Sequence, residues 1–368
     1  MNKIMILTNY ANGLYLFRKE LLEAFTDCRY RVVVGVPEDE NCRKLQMLGA
    51  KIIDTKLERR GSNPFKDFKL FLRYMMILKK ERPDVVLTYT IKPNIYGGLA
   101  CRLSRIPYLV NVTGLGTALE NPGMLGKILV KLYRIATKNA VCIYFQNKQN
   151  QQFMQENGIC GQKQTLLPGS GVNLLEHPFS PYPSEKSGII FLAVIRIMKD
   201  KGIEEYLNAA EKIKADYPNT SFRLVGEYED NTRGYYEPWI EKLQSMGIIQ
   251  YYGHIDNVAE VMAESHIIVH PSYHEGMSNV LLEAAACGRP VLSSDVPGCI
   301  ETLEPGLSGL AFQSQNTESL VRTIQTILSY SESDREEMGK EGRSFIETHF
   351  DRKQVIQAYI DQIQGRSE

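Results

Sequence analysis

The chain has 368 residues, of which 43 % are hydrophobic and 23 % charged, with a formal net charge of zero. This composition excludes a disordered chain, a collagen-like repeat and a small disulfide scaffold, and the length suits two domains. The zero hides an asymmetry: residues 1–180 carry 26 basic and 14 acidic side chains, and residues 181–368 carry 17 and 29.

The first half alternates short apolar runs with helical patterns. Ile4–Thr8, Arg31–Val36, Lys51–Thr55, Asp84–Tyr89, Tyr108–Val112, Val141–Phe145 and Thr165–Leu167 read as strands. Leu14–Phe25, Asp39–Leu48, Pro64–Glu81, Asn94–Leu103, Leu125–Lys138 and Lys148–Asn157 read as helices. The strands are nearly continuous hydrophobic runs, as expected when both faces of a parallel sheet are covered. Residues 171–187, rich in Pro and Ser, read as a linker between a first domain at 1–170 and a second at 188–350. The alternation restarts with strands at Ile189–Ile195, Ser221–Val225, Ile249–Tyr252, Ile267–His270, Pro290–Ser294 and Gly309–Phe312. Helices fall at Ile203–Asp216, Glu237–Met246, Asn257–Ala263, Ser278–Cys287 and Thr317–Tyr330, then in the tail at Asp334–Glu347 and Lys353–Gln364. The last segment, 351–368, is expected to return to the first domain. The expected fold class is α/β: two Rossmann-like, doubly wound domains facing across a cleft, with ligands at the carboxyl ends of the strands.

No run of about 18 apolar residues predicts a membrane span. Seven cysteines without a CxxC pair read as reduced thiols, so the expected location is cytoplasmic. The basic half calls for an anionic partner. Lys127, Lys131, Arg134 and Lys138 recur at helical spacing among Leu, Ile and Met, which suits an anionic membrane surface, and a solvated helix face equally. No recognition motif accompanies the charge, so nucleic acid is disfavoured.

Chemistry concentrates at His270–Ala284, where a strand ends and a Gly-containing turn leads into a helix that Ser278 or Asn279 can cap. The amides at that helix start offer an anion site. Glu275 stands just before the helix and Glu283 eight residues later. Arg196 and Lys201 follow the strand that opens the second domain; alone, they also suit a solvated strand end. His270 and His274 are i, i+4 but sit in a strand-to-loop segment without an HExxH motif, and no DxD occurs, so no metal is expected. In the first domain, Tyr10, Asn12 and Gly13 lie in the first strand-to-helix turn, which is not GxGxxG.

Glu275 through Glu283 resembles the E-x7-E motif of retaining nucleotide-sugar transferases of the GT-B fold, glycosyltransferase family 4. Ala284–Val291 resembles that family's A-x-A-x-G-x-P-V run, and Val296–Glu301 and Gly306–Leu310 also fit. Arg196–Gly202 resembles its G-R-x-x-x-x-K-G segment, with Ile195 in place of the Gly. Tyr89–Asn94 and Asn111–Gly116 resemble the branch that builds capsule, O-antigen and lipid-linked oligosaccharides.

The resemblance implies a metal-independent, retaining transfer without a cofactor, from a UDP-sugar to a glycan acceptor carried on a polyprenyl diphosphate, at the inner membrane face. It implies that Glu283 holds the ribose hydroxyls and that Glu275 contacts the donor sugar. It further implies that Gly276, Met277, Ser278, Asn279 and Val280 line the sugar and phosphates. Arg196 and Lys201 would stabilise the leaving diphosphate, whose charge grows in the transition state. Gly226 and Ile255 would flank the nucleotide with Gly13, while Tyr10, Asn12 and Thr113 would face the acceptor. The chain departs from the family in one respect. Many relatives place a His after the fifth strand; here no His precedes His177, and Thr113 stands at that place. A front-face displacement, in which a donor phosphate oxygen takes the acceptor proton, does not need it. Two other functions suit the same motifs: a nucleotide-sugar epimerase and a non-catalytic sugar-nucleotide-binding subunit.

Overall fold

The apolar runs become strands because both of their faces are buried. In β1 (Lys3–Leu7), Ile4 and Ile6 enter one core and Met5 and Leu7 the other, all fully buried. Each such side chain contributes about 1.5–3 kcal/mol. The computed structural model describes residues 3–58, 63–115 and 123–365; Gly116 of the Asn111–Gly116 motif lies outside them. The chain divides into two units, Met1–Ser170 with Gln354–Glu368, and Gly171–Lys353.

In the first unit, β1 is followed by α1 (Ala11–Asp27), β2 (Arg31–Val36), α2 (Cys42–Met47), β3 (Lys51–Asp54), α3 (Pro64–Glu81) and β4 (Val85–Tyr89). A π turn at Pro93–Gly97 leads into α4 (Gly98–Ser104), then β5 (Tyr108–Val112), α5 (Met124–Thr137), β6 (Cys142–Phe145), α6 (Lys148–Glu156) and β7 (Gln164–Leu166). The seven strands are parallel, in the order β3-β2-β1-β4-β5-β6-β7. The order reverses beside β1, so the β1–α1 turn with Tyr10, Asn12 and Gly13 stands at a topological switch point.

In the second unit come β8 (Ile189–Val194), α7 (Ile203–Asp216), β9 (Thr220–Val225), α8 (Arg233–Ser245), β10 (Ile249–Tyr251), α9 (Val258–Ala263) and β11 (Ile267–His270). They are followed by α10 (Asn279–Ala286), β12 (Val291–Ser294), β13 (Gly309–Phe312), α11 (Thr317–Ser329) and α12 (Glu332–His349). These six strands are also parallel, in the order β10-β9-β8-β11-β12-β13. The 171–187 segment packs along this unit. Val172 bridges Asp351, and the buried guanidinium of Arg289 donates to the Ser180 and Pro181 carbonyls at 2.8 Å each. The last helix, α13 (Arg352–Gln364), turns Val355, Tyr359 and Ile363 into the β1-side core of the first unit. These residues recur every four positions, one face of a helix, and the Tyr359 hydroxyl donates to Asn111 Oδ1.

Two elements differ from expectation. α8 starts at Arg233, so Pro238 lies inside it rather than in its first turn. An interior Pro costs about 3 kcal/mol. Tyr236 offsets this cost, because it is buried in the core and donates to Glu204 at 2.9 Å. The expected helix at Asn94–Leu103 opens instead as the π turn. There the Asn94 side chain is drawn inward to the Asn111 carbonyl (2.9 Å), the Thr88 hydroxyl (2.7 Å) and Tyr133 (3.3 Å). Just before it, Thr90 has φ +72°, a strained conformation for a β-branched residue that costs about 1–3 kcal/mol.

Candidate active site

The site in the second unit is built on three loops at the carboxyl ends of β8, β11 and β12. After β8, the chain makes a tight turn at Gly202 (φ +73°), where a Cβ would stand 2.1 Å from the Pro271 carbonyl oxygen. Only glycine allows this approach, and it brings Lys201 against the loop that follows β11. The Lys201 ammonium donates to Glu275 Oε1 at 2.6 Å and to Ser272 Oγ at 3.3 Å. Two further bonds hold the same loop: the Tyr273 amide donates to the Asp200 carbonyl at 3.0 Å, and its hydroxyl to Glu205 at 2.8 Å. After β12, Ser294 Oγ donates to the Ser272 carbonyl at 2.5 Å, and Gly298 (φ +81°) presents its carbonyl to the Ser278 amide at 2.7 Å. A Cβ on Gly298 would lie 2.5 Å from the Glu275 carbonyl oxygen. Gly298→Ala should therefore displace Glu275 and lower kcat at least about tenfold, since small misplacements of reacting groups are costly. A circular-dichroism melt beside the kinetics separates this from global unfolding.

The Glu275 carboxylate receives a second bond, from His270 Nε2 at 3.1 Å. Burial raises its carboxyl pKa, but the His270 bond and the Lys201 charge outweigh that and hold it at about 2. An ionised carboxylate only accepts hydrogen bonds, so Nε2 carries the imidazole proton. His270 itself is buried at the end of β11. Lys201, His270 and Glu275 thus form one fixed cluster, with the carboxylate charged at all physiological pH values.

Glu283 is the opposite case. It lies on α10, 4.0 Å from His177 Nε2. Burial pushes its carboxyl up to about 7, with Arg352 pulling down and Glu176 pushing up. Two carboxyls eight residues apart are thereby separated in protonation, one permanently ionised and one poised near neutrality.

α10 is capped by Ser278, whose Oγ accepts from the Leu281 amide at 3.3 Å. The Ser278 amide is already bonded to the Gly298 carbonyl. The amides of Asn279 and Val280, in the first turn of α10, have no acceptor within the helix. Met277 is buried in the core cluster with Val172, Leu282 and Phe350, so its side chain is structural. Gly276 is half-buried in the loop beside Glu275.

Arg196 does not join the Lys201 cluster through any described contact. It follows β8, is half-exposed, and pairs with Glu229 of the 226–232 loop. Gly226 (φ +145°) starts that loop against the backbone of Ile195: a Cβ would meet the Ile195 carbonyl oxygen at 1.8 Å. The buried Ile195 side chain belongs to the core, and Ile255 packs on the cluster beneath α10. In the first unit, Tyr10 flanks α1, and Asn12 and Gly13 lie in its first turn, with Asn12 Nδ2 3.4 Å from the Tyr10 hydroxyl. Thr113 follows β5, half-buried. The contacts missed from sequence are those of His270, His177, Glu229 and Arg352. His270 stood out in the sequence only as a disfavoured metal-ligand candidate at a strand end, not as a partner of Glu275.

Comparison with known proteins gives the site its family. Residues 178–345 match the family model "Glycosyl transferases group 1", and residues 3–147 match "Glycosyl transferase 4-like". This chain is a glycosyltransferase with a 4-like and a group 1 domain. Among curated relatives, the transferase is 29 % identical over 344 residues, 89 % of each chain, to the N,N'-diacetylbacillosaminyl-diphospho-undecaprenol alpha-1,3-N-acetylgalactosaminyltransferase of Campylobacter jejuni. It is 24 % identical over 285 residues, 72 % of this chain and 71 % of the other, to the Escherichia coli UDP-Gal:alpha-D-GlcNAc-diphosphoundecaprenol alpha-1,3-galactosyltransferase. The Anabaena protein HepE, solved with UDP and glucose, superposes with a TM-score of 0.81 at 16 % identity, over 99 % of this chain and all of HepE. The glycosyltransferase therefore has the GT-B fold.

Proposed function

We propose that this glycosyltransferase moves a sugar from a UDP-sugar to a saccharide carried on a polyprenyl diphosphate, in the assembly of a bacterial surface glycan. The observation that carries the reading is the fixed Lys201–His270–Glu275 cluster beside the start of α10, in a chain whose relatives are named for undecaprenol-diphosphate acceptors. In the proposed mechanism, the donor diphosphate lies at the α10 amides of Asn279 and Val280 and takes charge stabilisation from Lys201 and Arg196. Preorganised donors at a developing charge are the largest catalytic contribution in most enzymes. Glu275 holds the donor sugar by its hydroxyls, and Glu283 holds the ribose. With its pKa held at about 2, Glu275 is too weak a base to take the acceptor proton. A donor phosphate oxygen takes that proton on the same face from which the diphosphate leaves, so the anomeric configuration is retained. The charge stabilisation comes from these side chains and amides, without a divalent ion. Mass spectrometry after incubation with a panel of nucleotide-sugars and polyprenyl-diphosphate saccharides tests the reading. A lipid-linked product heavier by one sugar supports it. Donor hydrolysis or isomerisation with every acceptor left unchanged overturns it.

Glu283 gives this reading a pH signature. A carboxyl with its pKa raised to about 7 must lose its proton to accept two ribose hydroxyls. Affinity for a UDP-sugar, whose diphosphate does not titrate near neutrality, should therefore rise from pH 6 to pH 8 and level off above. Calorimetry in buffers of different ionisation heat should show proton release at pH 7. Glu283→Gln should bind about tenfold or more weakly at pH 8, the worth of a charge-assisted bond, and lose the pH dependence. A Gln variant that keeps the wild-type pH profile removes Glu283 from the nucleotide.

The acceptor lipid places the enzyme at a membrane surface. Among the described residues, no helix is long and apolar enough to cross a membrane. α5 exposes Met124, Leu125 and Ile128 together with Lys127, Lys131 and Lys138. Arg134 of the same helix donates to the Asn157 carbonyl at 2.6 Å and so helps close the end of α6; it has a structural role. Reversing Lys127, Lys131 and Lys138 to Glu should abolish sedimentation with anionic vesicles at low salt, since each cation contributes about 1 kcal/mol. UDP affinity should not change. Equal sedimentation with neutral and anionic vesicles would sink the surface reading.

A further inference from the structure

Arg196 belongs to the proposed donor site but stands outside the Lys201 cluster. Its side chain is 53 % exposed, and a long exposed side chain spreads over many rotamers unless a partner fixes it. That partner is Glu229. Its carboxylate takes a hydrogen bond from Arg196 Nη1 and is itself only 16 % exposed. As an isolated surface ion pair this contact would be worth little. Two features of the second unit give it a further role.

The first is the backbone on which the pair is carried. Ile195 and Ile197 turn their side chains into the core, and in extended chain alternate residues face opposite ways, so Arg196 is turned toward the loop after β9. That loop, 226–232, is stitched to the Arg196 segment along its length. The Ile195 amide donates to the Val225 carbonyl at 3.0 Å and the Ile197 amide to the Glu227 carbonyl at 2.8 Å. The Thr232 hydroxyl lies 2.7 Å from the Ile197 carbonyl oxygen and 2.8 Å from that of Glu229. At the base of the loop, the Gly226 amide donates to the Gly253 carbonyl and the Gly226 carbonyl accepts from the Tyr251 hydroxyl, each at 2.8 Å. Glu229 is therefore held in place before it meets Arg196, and a fixed carboxylate orders a guanidinium at little cost in chain freedom.

The second is the part of the guanidinium that the pair leaves open. Glu229 engages Nη1 alone; among the described residues, Arg196 Nε and Nη2 make no hydrogen bond. The Nε–Nη2 edge is one side of a planar fork that suits phosphate oxygens two at a time. We infer that Glu229 is a positioning residue for sugar transfer: it anchors Arg196 by Nη1 and aims the Nε–Nη2 edge at the leaving diphosphate. The inference rests on the diphosphate placement proposed above. Glu229 touches neither the substrate nor the reacting atoms and acts through Arg196. Its negative charge offsets part of the attraction, but a misplacement of about 1 Å can cost about 10²-fold in rate, so aim outweighs net charge. Aim matters most as the diphosphate gains charge, so the effect falls on kcat rather than KM.

UDP release from a panel of UDP-sugars, with and without a polyprenyl-diphosphate saccharide, tests the inference on the full chain. Circular-dichroism melts and UDP calorimetry report folding. Glu229→Ala should lower kcat about five- to tenfold while KM for the donor changes about twofold or less. Glu229→Gln keeps an acceptor oxygen for Nη1 and should lose less; it also repeats the comparison if Glu229→Ala does not fold. The double variant Glu229→Ala with Arg196→Ala should be no slower than Arg196→Ala alone, because a residue that acts only through another is silent once that other is gone. Losses that multiply in the double variant overturn the inference while the leaving-group role of Arg196 stands. So does Glu229→Ala with turnover at or above that of the wild type. If Arg196→Ala itself keeps wild-type turnover, or no UDP is released from any donor, the donor-site reading fails and the inference with it.

Discussion

Glu275→Gln should lower turnover at saturating donor by on the order of 10²–10³-fold, the range seen when one preorganised polar group at a reacting centre is lost. The carboxylate takes hydrogen bonds from Lys201 at 2.6 Å and His270 at 3.1 Å while facing the proposed donor sugar. A carboxamide of the same shape keeps one acceptor oxygen. It turns an NH2 donor toward other donors, and it leaves the largely buried Lys201 charge without its counter-ion, which is costly. The loss should appear in kcat more than in KM, because the cluster is fixed before donor binds. The same residue marks the acid limb of stability. Its folded pKa of about 2 lies below the ordinary carboxylate value of 4.5, so its stabilising contribution is complete above 4.5 and is lost as pH falls toward 2. In the Gln variant the overall stability should be lower and that part of the acid dependence gone. A variant with wild-type kcat removes Glu275 from the reacting centre.

Lys201→Ala should be nearly as damaging, and it should differ from Arg196→Ala. Lys201 is held by the Gly202 turn against the β11 loop, so its removal strips the counter-ion of Glu275 and, in the proposed mechanism, a phosphate contact as well. Arg196 is half-exposed and paired with Glu229. Its loss would remove only the charge proposed to meet the diphosphate. Both should lower kcat more than they raise KM, because the charge they meet is greatest as the diphosphate leaves. The expected losses are about 10²–10³-fold for Lys201 and about tenfold for Arg196. Wild-type turnover in both at saturating donor would contradict the leaving-group role.

Much of the fold was legible because local and global signals agree in these domains. Every expected strand has a counterpart within a residue or so, since a buried parallel strand must be apolar on both faces, as Ile4–Leu7 and Ile267–Val269 are. The misreadings arise where tertiary anchors outweigh local preference: Tyr236 holding Pro238 inside α8, and Asn94 turning a helix start into a π turn. The site was legible as residue types and not as contacts. Glu275, Glu283, Lys201 and the Ser278 cap could be picked out from two loops and one helix start. The pairing of Lys201 with Glu275 spans 74 residues, and that of Arg196 with Glu229 spans 33. Neither has any local signal. The opposite protonation of Glu275 and Glu283 is likewise invisible in a motif that contains two identical residues. It arises from a Lys–His pair on one and from burial on the other.

The Lys201–His270–Glu275 cluster is proposed to serve a same-face transfer of a sugar from its nucleotide. Proton NMR of the product formed from an α-linked UDP-sugar and a short polyprenyl-diphosphate saccharide, in the presence of EDTA, tests it most directly. The expected product carries a new glycosidic linkage whose anomeric proton shows the α configuration of the donor, formed at an unchanged rate when divalent ions are chelated. A β-linked product, or a reaction that stops on chelation and resumes with a divalent ion, would contradict it.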